Sequence, residues 1–399
     1  MKALEGLRML DITHMLSGPY AGMLLADLGM ETIKVEPPGK GEGTRRLLED
    51  DPDYSLNGVG AYFLTLNRNK KSVALNLKSE EGRALFYELV KTADVVLTNF
   101  SVGVNERLGI DHKTLSSINP RIITCAISGF GETGPNRHHV SFDMVAQGTG
   151  GGMSITGAPE GPPTRSGIPI GDLGGGLMAT IGVLSALQAR VKTGRGQHVD
   201  VSMQDAQISM LNYMATMHFL SGKVPGALAN GHFVHVPYDT FAANDGWFLI
   251  AVIVDRFWDN LMEIVDAPDL NTEENKRQPG RKANKDLINR RLSEIFSRHS
   301  VDYWLEQLRG ARIPCAPVNN LEQALSDPQV LARDMVVEVT DNHGDTIRQP
   351  GNPIKLSDTS EESYTAPPEV GQHTEEVLTG LIGLSVEQLQ QLRSRGAIG

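Results

Sequence analysis

The first two hundred residues alternate short apolar runs with longer stretches whose apolar positions recur every three or four residues. LRMLDIT (7–13), ETIKVE (31–36), KSVALNL (71–77), DVVLTNF (94–100), RIITCAISGF (121–130) and QHVDVSM (197–203) carry the first pattern and predict strands. GPYAGMLLADLG (18–29) carries the second. So do residues 79–93, where Ser79 followed by Glu80 and Glu81 marks a helix start. A long Met-rich helix is expected from 203 to about 220. The β-α-β-α order predicts an α/β protein with a parallel sheet covered by helices. It places Asn99, Phe100 and Gly129 at the carboxyl ends of strands, where open α/β sheets bind ligands.

The pattern changes near 225. DTFAANDGWFLIAV (239–252) reads as a β-hairpin turned at Asp245-Gly246. NTEENKRQPGRKANK (271–285) reads as a charged, exposed connection, followed by helices at about 285–300 and 301–310. Residues 1–224 are thus expected to form a large domain and 225–325 a smaller α+β domain. Residues 326–399 return with a strand at MVVEV (335–339), a loop, and a terminal helix opened by the Ser385/Gln388 capping box.

Composition narrows the function classes. The 399 residues are 40% hydrophobic and 21% charged, as in a globular protein, and the formal net charge is −11. That balance speaks against nucleic acid as a partner, because phosphate affinity needs clustered Lys and Arg. Two cysteines, Cys125 and Cys315, make no disulfide framework. Glu5, Arg8 and Asp11 interrupt the start, which is unlike a signal peptide. The one membrane-like stretch, residues 173–189, is short and glycine-rich, so a buried core helix is expected rather than a span. A cytoplasmic location with no membrane partner follows as an expectation.

One carboxylate stands out. In GIPIGDLGGGLMATIGVLSALQAR (167–190), Asp172 lies between glycines at the mouth of an uncharged segment. It is either a helix N-cap or a nucleophile held ionised by the first amides of that helix, and one geometry can serve both. No G-x-G-x-x-G follows the first strand, and GTGGGM (148–153) fails at its last position. No P-loop and no G-x-S-x-G elbow occurs. Adjacent His138 and His139 cannot share a helix face as zinc ligands do. No metal and no nicotinamide or flavin cofactor is therefore expected.

Several stretches together resemble one family. DITHMLSGPYAGMLLADLGMETIKVEPPGKGEGTR (11–45), LNRNKKSVALNL (66–77), ADVVLTNFSVGVNERLG (93–109), SGFGETGP (128–135), PIGDLGGG (169–176), TGRGQHVDVSMQDA (193–206), IPCAPVNNLEQALSDPQV (313–330) and GQHTEEVL (371–378) are similar to class III CoA-transferases. These are the family of carnitine and bile-acid CoA-transferases. The resemblance implies a Rossmann-like large domain built from both chain ends, a small central domain, and two subunits interlocked like rings. It implies that Asp172 attacks an acyl-CoA, forming a mixed anhydride and then an aspartyl-CoA thioester, with the surrounding glycines admitting CoA. Lys70, Asn99, Phe100 and Arg107 resemble residues lining the CoA nucleotide and phosphates. Met15 and Leu16 resemble residues near the thioester, and Asp143 matches an acidic position close to the nucleophile.

The chain departs from the pattern at Ser101-Val102, where Arg-Pro is frequent, and at Pro37-Pro38, where a basic residue can follow the second strand. One phosphate contact is thus missing or supplied by Lys40, Arg45 or Arg46. The glycine-rich lid of the formyl-CoA enzymes is absent between 220 and 240. The expected partners are acyl-CoA and a small carboxylic acid, with a homodimer or a paralogous subunit completing the assembly. Arg137, His138, His139 and His232 offer positive charge to a second carboxylate, which favours succinyl-CoA or a similar donor. An α-methylacyl-CoA racemase remains the alternative, although Phe142 stands where the racemases place a histidine.

Overall fold

The computed structural model describes residues 1–359 and 363–399. The chain divides into two compact units, one of Met1–Met153, Arg165–Lys223 and Ala332–Gly399, the other of Ser154–Thr164 and Val224–Leu331. Residues 154–164 thus fall with the smaller unit, which corrects the continuous 1–224 boundary. Backbone pairing accounts for this assignment, since Ala229 N donates to Gly157 O at 2.9 Å.

The larger unit is built on six strands: β1 (Arg8–Asp11), β2 (Glu31–Glu36), β3 (Lys70–Ala74), β4 (Val95–Thr98), β5 (Ile123–Ser128) and β6 (His198–Ser202). They lie in the order β3-β2-β1-β4-β5-β6, and every pair is parallel. This is the doubly wound order that reverses between its first and fourth strands. Both faces are buried, as all-parallel sheets require. Leu10 and Val96 turn into one apolar cluster, while Met9, Val95 and Leu97 turn into another, each at most 1% exposed.

Helices α1 (Ser17–Asp27), α2 (Glu80–Thr92), α3 (Asp143–Thr149), α4 (Ile170–Thr193), α5 (Met203–Met210) and α6 (Tyr213–Ser221) complete this part. Ser79 caps α2 through Gly82 N at 3.0 Å. The expected continuous Met-rich helix is broken: Asn212 has φ 48°, and the chain turns there into α6. Helix α4 is not the fully buried core helix that its sequence suggests. Its 24 residues are long and apolar enough to cross a membrane by length and composition. One face packs on α1, α5 and β5, and a Cβ at Gly176 would sit 2.7 Å from Ser17 O, so glycine sets the close α1–α4 approach. The other face is open, with Leu177 and Ile181 exposed.

In the smaller unit, β7 (Tyr238–Ala242), β8 (Trp247–Ala251) and β9 (Cys315–Pro317) form an antiparallel sheet covered by α7 (Asp255–Val265), α8 (Gln278–Ala283), α9 (Lys285–Phe296) and α10 (Val301–Gly310). The segment 271–285 is largely exposed, as expected, but it is more than a connection. It contains α8, and Arg281 is fully buried, donating to Val236 O, Asn275 O and Asp255 Oδ1 at 2.9–3.0 Å. At the C-terminus, α11 (Thr374–Ile382) and α12 (Val386–Ser394), the latter opened by the Ser385/Gln388 capping box, add Val377, Leu378 and Leu389 to the larger unit's core.

Candidate active site

The reversal between β1 and β4 opens a crevice at their carboxyl ends. Two short segments line it: Thr13–Met15, leading into α1, and Asn99–Phe100, leaving β4. Asn99 locks them together, its Oδ1 accepting from His14 N at 2.9 Å and its Nδ2 donating to His14 O at 2.6 Å. The His14 ring meets Phe100 edge-on at 5.2 Å. Met15 is held at φ 63°, a left-handed conformation that a non-glycine residue adopts only where its surroundings impose it. His14 and Phe100 form a common wall between two cavities. The larger, about 710 Å³, is lined by Pro37, Pro38, Lys78 and Arg107; the smaller, about 70 Å³, by Met15, Ser17, Asn99 and Asp172.

Asp172 owes its setting to a neighbour distant in sequence. Helix α4 begins after Pro169, whose side chain offers no cap. Asp143, at the start of α3, supplies the cap instead. Its Oδ1 accepts from Gly171 N at 2.8 Å and Asp172 N at 3.3 Å, and its Oδ2 accepts from Gln147 Nε2 at 2.7 Å. A Cβ at Gly171 would fall 2.9 Å from Asp143 O, so only glycine admits this contact. Asp172 is therefore the third residue of the helix and not its N-cap. Among the described residues no group donates a hydrogen bond to its carboxylate.

The electrostatic consequence reverses an expectation. Burial first, and then the charge of Asp143, push the Asp172 pKa up to about 7. The rise from 3.8 corresponds to roughly 4 kcal/mol. A helix N-terminus contributes only about 0.3–1 kcal/mol in the opposite sense, and here its amides are taken by Asp143. Asp172 is thus not held firmly ionised. It titrates near neutrality, and its charged form is poorly solvated and reactive. The Tyr62 phenol is also pushed up, by burial and then by the charges of Asp172 and Asp143. It belongs to the same environment, and nothing in its sequence context marks it.

Known proteins can be compared with this arrangement. The model of CoA-transferase family III matches residues 4–374. The chain belongs to that family. Acetyl-CoA:oxalate CoA-transferase of Acetobacter aceti is 39% identical over 355 residues, covering 88% of this chain and 89% of that one. Succinyl-CoA:mesaconate CoA-transferase of Haloarcula marismortui is 37% identical, covering 95% and 96%. Human succinyl-CoA:glutarate CoA-transferase is 32% identical, covering 100% and 90%. A CaiB/BaiF family protein from Brucella suis superposes with a TM-score of 0.85 at 33% identity, covering 95% of this chain and 99% of that one.

Within this CoA-transferase the residues singled out from sequence separate into two groups. Met15, Asn99, Phe100 and Asp172 line the small cleft, and Phe100 and Arg107 line the large one. Asp143 stands directly behind Asp172. Lys70 does not face either cavity as a phosphate ligand. Its ammonium is buried, donating to Asp11 Oδ2 at 2.8 Å, Pro19 O at 3.0 Å and Asn67 Oδ1 at 3.0 Å, which uses all three of its protons. Leu16 is 8% exposed and belongs to the core. Arg45 is likewise committed, forked onto Glu36 at 2.6 and 2.8 Å. Among the described residues the free cations on the large cavity are Arg107 and the unforeseen Lys78. Glycines 174–176 are buried by Met203, Met210 and α1, so they serve helix packing rather than admitting CoA. Arg137 and His139 reach the Asp172 cleft, and His138 lies behind Arg137.

Proposed function

We propose that this CoA-transferase moves CoA between two carboxylic acids with Asp172 as nucleophile, and that at least one of the acids is dicarboxylic. The observation that carries the reading is the unpartnered Asp172 carboxylate, in a tight cleft that shares a wall with a cavity ten times larger. The large cavity suits the nucleotide, with Arg107 and Lys78 for phosphate; the small one suits the reacting end. Ionised Asp172 attacks the thioester carbonyl, giving a mixed anhydride and CoA thiolate. The thiolate then attacks the Asp172 carbonyl, releasing the donor acid and leaving an aspartyl-CoA thioester. The acceptor carboxylate reverses both steps, so one thioester replaces another and no external energy source is needed. Names of relatives that include oxalate, mesaconate and glutarate support the dicarboxylic class.

Mass spectrometry after mixing the enzyme, succinyl-CoA and hydroxylamine tests this, with a hydroxamate expected at Asp172. An unmodified Asp172 in an enzyme that turns over would overturn the assignment. Because His139 also lines the cleft, a 2-methylacyl-CoA in heavy water provides the opposing arm. Deuterium at the α-carbon without any acceptor would mean that Asp172 and His139 exchange protons as a racemase.

Assembly is part of the same proposal. Phe219 and Leu220 on α6 are 81% and 84% exposed, and Leu177 and Ile181 on α4 are open as well. Apolar surface of this kind marks an interface. A second copy of the chain, or a paralogous subunit, is the proposed cover, and sedimentation velocity should report a dimer.

A further inference from the structure

The cleft around Asp172 is short of positive charge. Asp172 lines it with Asp143 directly behind, and a bound acid adds more negative charge. Among the described residues that line it, only Arg137 is permanently cationic. His14 is held below the ordinary histidine range by burial and by Lys34. Arg137 forms no ion pair with any carboxylate of the described chain. Its Nε donates to His138 Nε2 at 3.0 Å. That bond leaves the two terminal amino groups of the guanidinium for a ligand.

What kind of ligand needs such a group follows from the charges along the reaction. A monocarboxylic acid loses its charge once it becomes an acyl group, so a fixed cation serves it only before and after transfer. A dicarboxylic acid keeps one charge throughout. Beside two aspartates that charge is repelled unless a cation faces it. We propose that Arg137 is a specificity-determining residue that holds the distal carboxylate of a dicarboxylic substrate, with His138 as the residue that positions its guanidinium. The inference rests on the CoA-transfer reading of the same cleft. Arg107 and Lys78 already line the larger cavity, so phosphate binding does not require Arg137.

The test compares acids of equal chain length, succinate against butyrate and glutarate against pentanoate, as acceptors for wild type, Arg137→Gln and Arg137→Lys. Arg137→Gln should lower the dicarboxylate-to-monocarboxylate ratio of kcat/KM by about ten- to a hundred-fold, as expected for loss of a charge-assisted, two-pronged contact. Arg137→Lys should recover only part of it, because an ammonium lacks the planar fork. An unchanged ratio, or a rise confined to the KM for acyl-CoA, would overturn the proposal and assign Arg137 to phosphate. Calorimetric binding of succinate and butyrate to Asp172→Asn judges Arg137 without turnover. Preference for succinate should vanish when Arg137→Gln is added, and equal affinities before that addition would sink the idea. Failure of the transfer reading itself would show separately, as no transfer to any acid by wild type.

Discussion

Asp11 and Asp172 lie in the same unit, both withdrawn from water, and their surroundings drive them in opposite directions. Asp11 is fully buried at the end of β1, where burial alone would raise its pKa. Lys70 and Lys34 outweigh that effect, and Thr13 donates to it through both its backbone N–H and its hydroxyl. Its pKa ends below the ordinary range. Asp172 has burial and a like-charged neighbour but no counter-charge, and ends near 7. A buried carboxylate with complete partners is structure; one without them is poised for chemistry. The same contrast explains Lys70, which neutralises Asp11 beneath the crevice and so is not available within it.

Exchanging the two roles gives the largest expected effects. Asp172→Ala should lower CoA transfer by about 10³-fold or more, since in the proposed mechanism the removed group forms the covalent intermediates, while urea unfolding stays cooperative with no loss of stability. Lys70→Met should do the reverse to stability. It deprives buried Asp11 of its hydrogen-bonded counter-charge and leaves only Lys34 to offset it, at a cost of about 3 kcal/mol in the same measurement. Adding Asp11→Asn should return part of that loss. If Lys70→Met folds as stably as wild type and raises only the KM for acyl-CoA, Lys70 is a phosphate ligand after all and the contrast fails.

The pH dependence should be smaller and opposite in sign at the two sites. The folded pKa of Asp172 is raised, so between about 4 and 7 the native state binds more protons than the unfolded chain. Its contribution to stability therefore falls as pH rises through that window. Asp11 has a lowered folded pKa. Its contribution is complete above about 4 and is lost as pH falls through the folded value. Asp172→Asn should accordingly be more stable than wild type at pH 8, by on the order of 1–3 kcal/mol, and no more stable at pH 4. Wild-type kcat/KM should climb through pH 7 as Asp172 ionises. A profile already flat from pH 5 upward would show that some group missing from this picture stabilises the carboxylate.

The sheet and its edges were legible because their causes are local. Runs such as ETIKVE and DVVLTNF announce strands by composition, Ser79 and Ser385 announce helices by the bonds they can make, and element order implies parallel pairing. The site residues Asn99 and Phe100 followed from strand ends alone. What escaped depends on partners distant in sequence. Lys70 meets Asp11 across 59 positions, and Asp143 caps a helix 28 positions away. Arg281 fills a pocket walled by Val236 and Asp255. A lysine before a strand and an arginine among charged neighbours look solvated until the fold closes around them. Helix α7 does carry a local signal, with Trp258, Leu261, Met262 and Val265 recurring at helical spacing and all buried.

The finest test concerns the carboxylate behind Asp172. Burial is the larger cause of the raised pKa and Asp143 the smaller. Asp143→Asn removes the charge yet keeps an oxygen able to accept from Gly171 N and Asp172 N, so the cap of α4 survives. The new amide would meet Gln147 Nε2, a second donor, so one hydrogen bond is lost, at about 1 kcal/mol of stability. Without the neighbouring charge the midpoint of the kcat/KM profile should move to lower pH, by about one unit or less. Asp143→Ala should show the same direction with a further stability loss of about 1 kcal/mol, because the cap goes as well. An unmoved midpoint in Asp143→Asn would leave burial as the sole cause, making Asp143 a structural cap with no part in tuning Asp172. A midpoint moved to higher pH in Asp143→Ala but not in Asp143→Asn would mean that the cap oxygen, through the amides it orients, was helping Asp172 ionise.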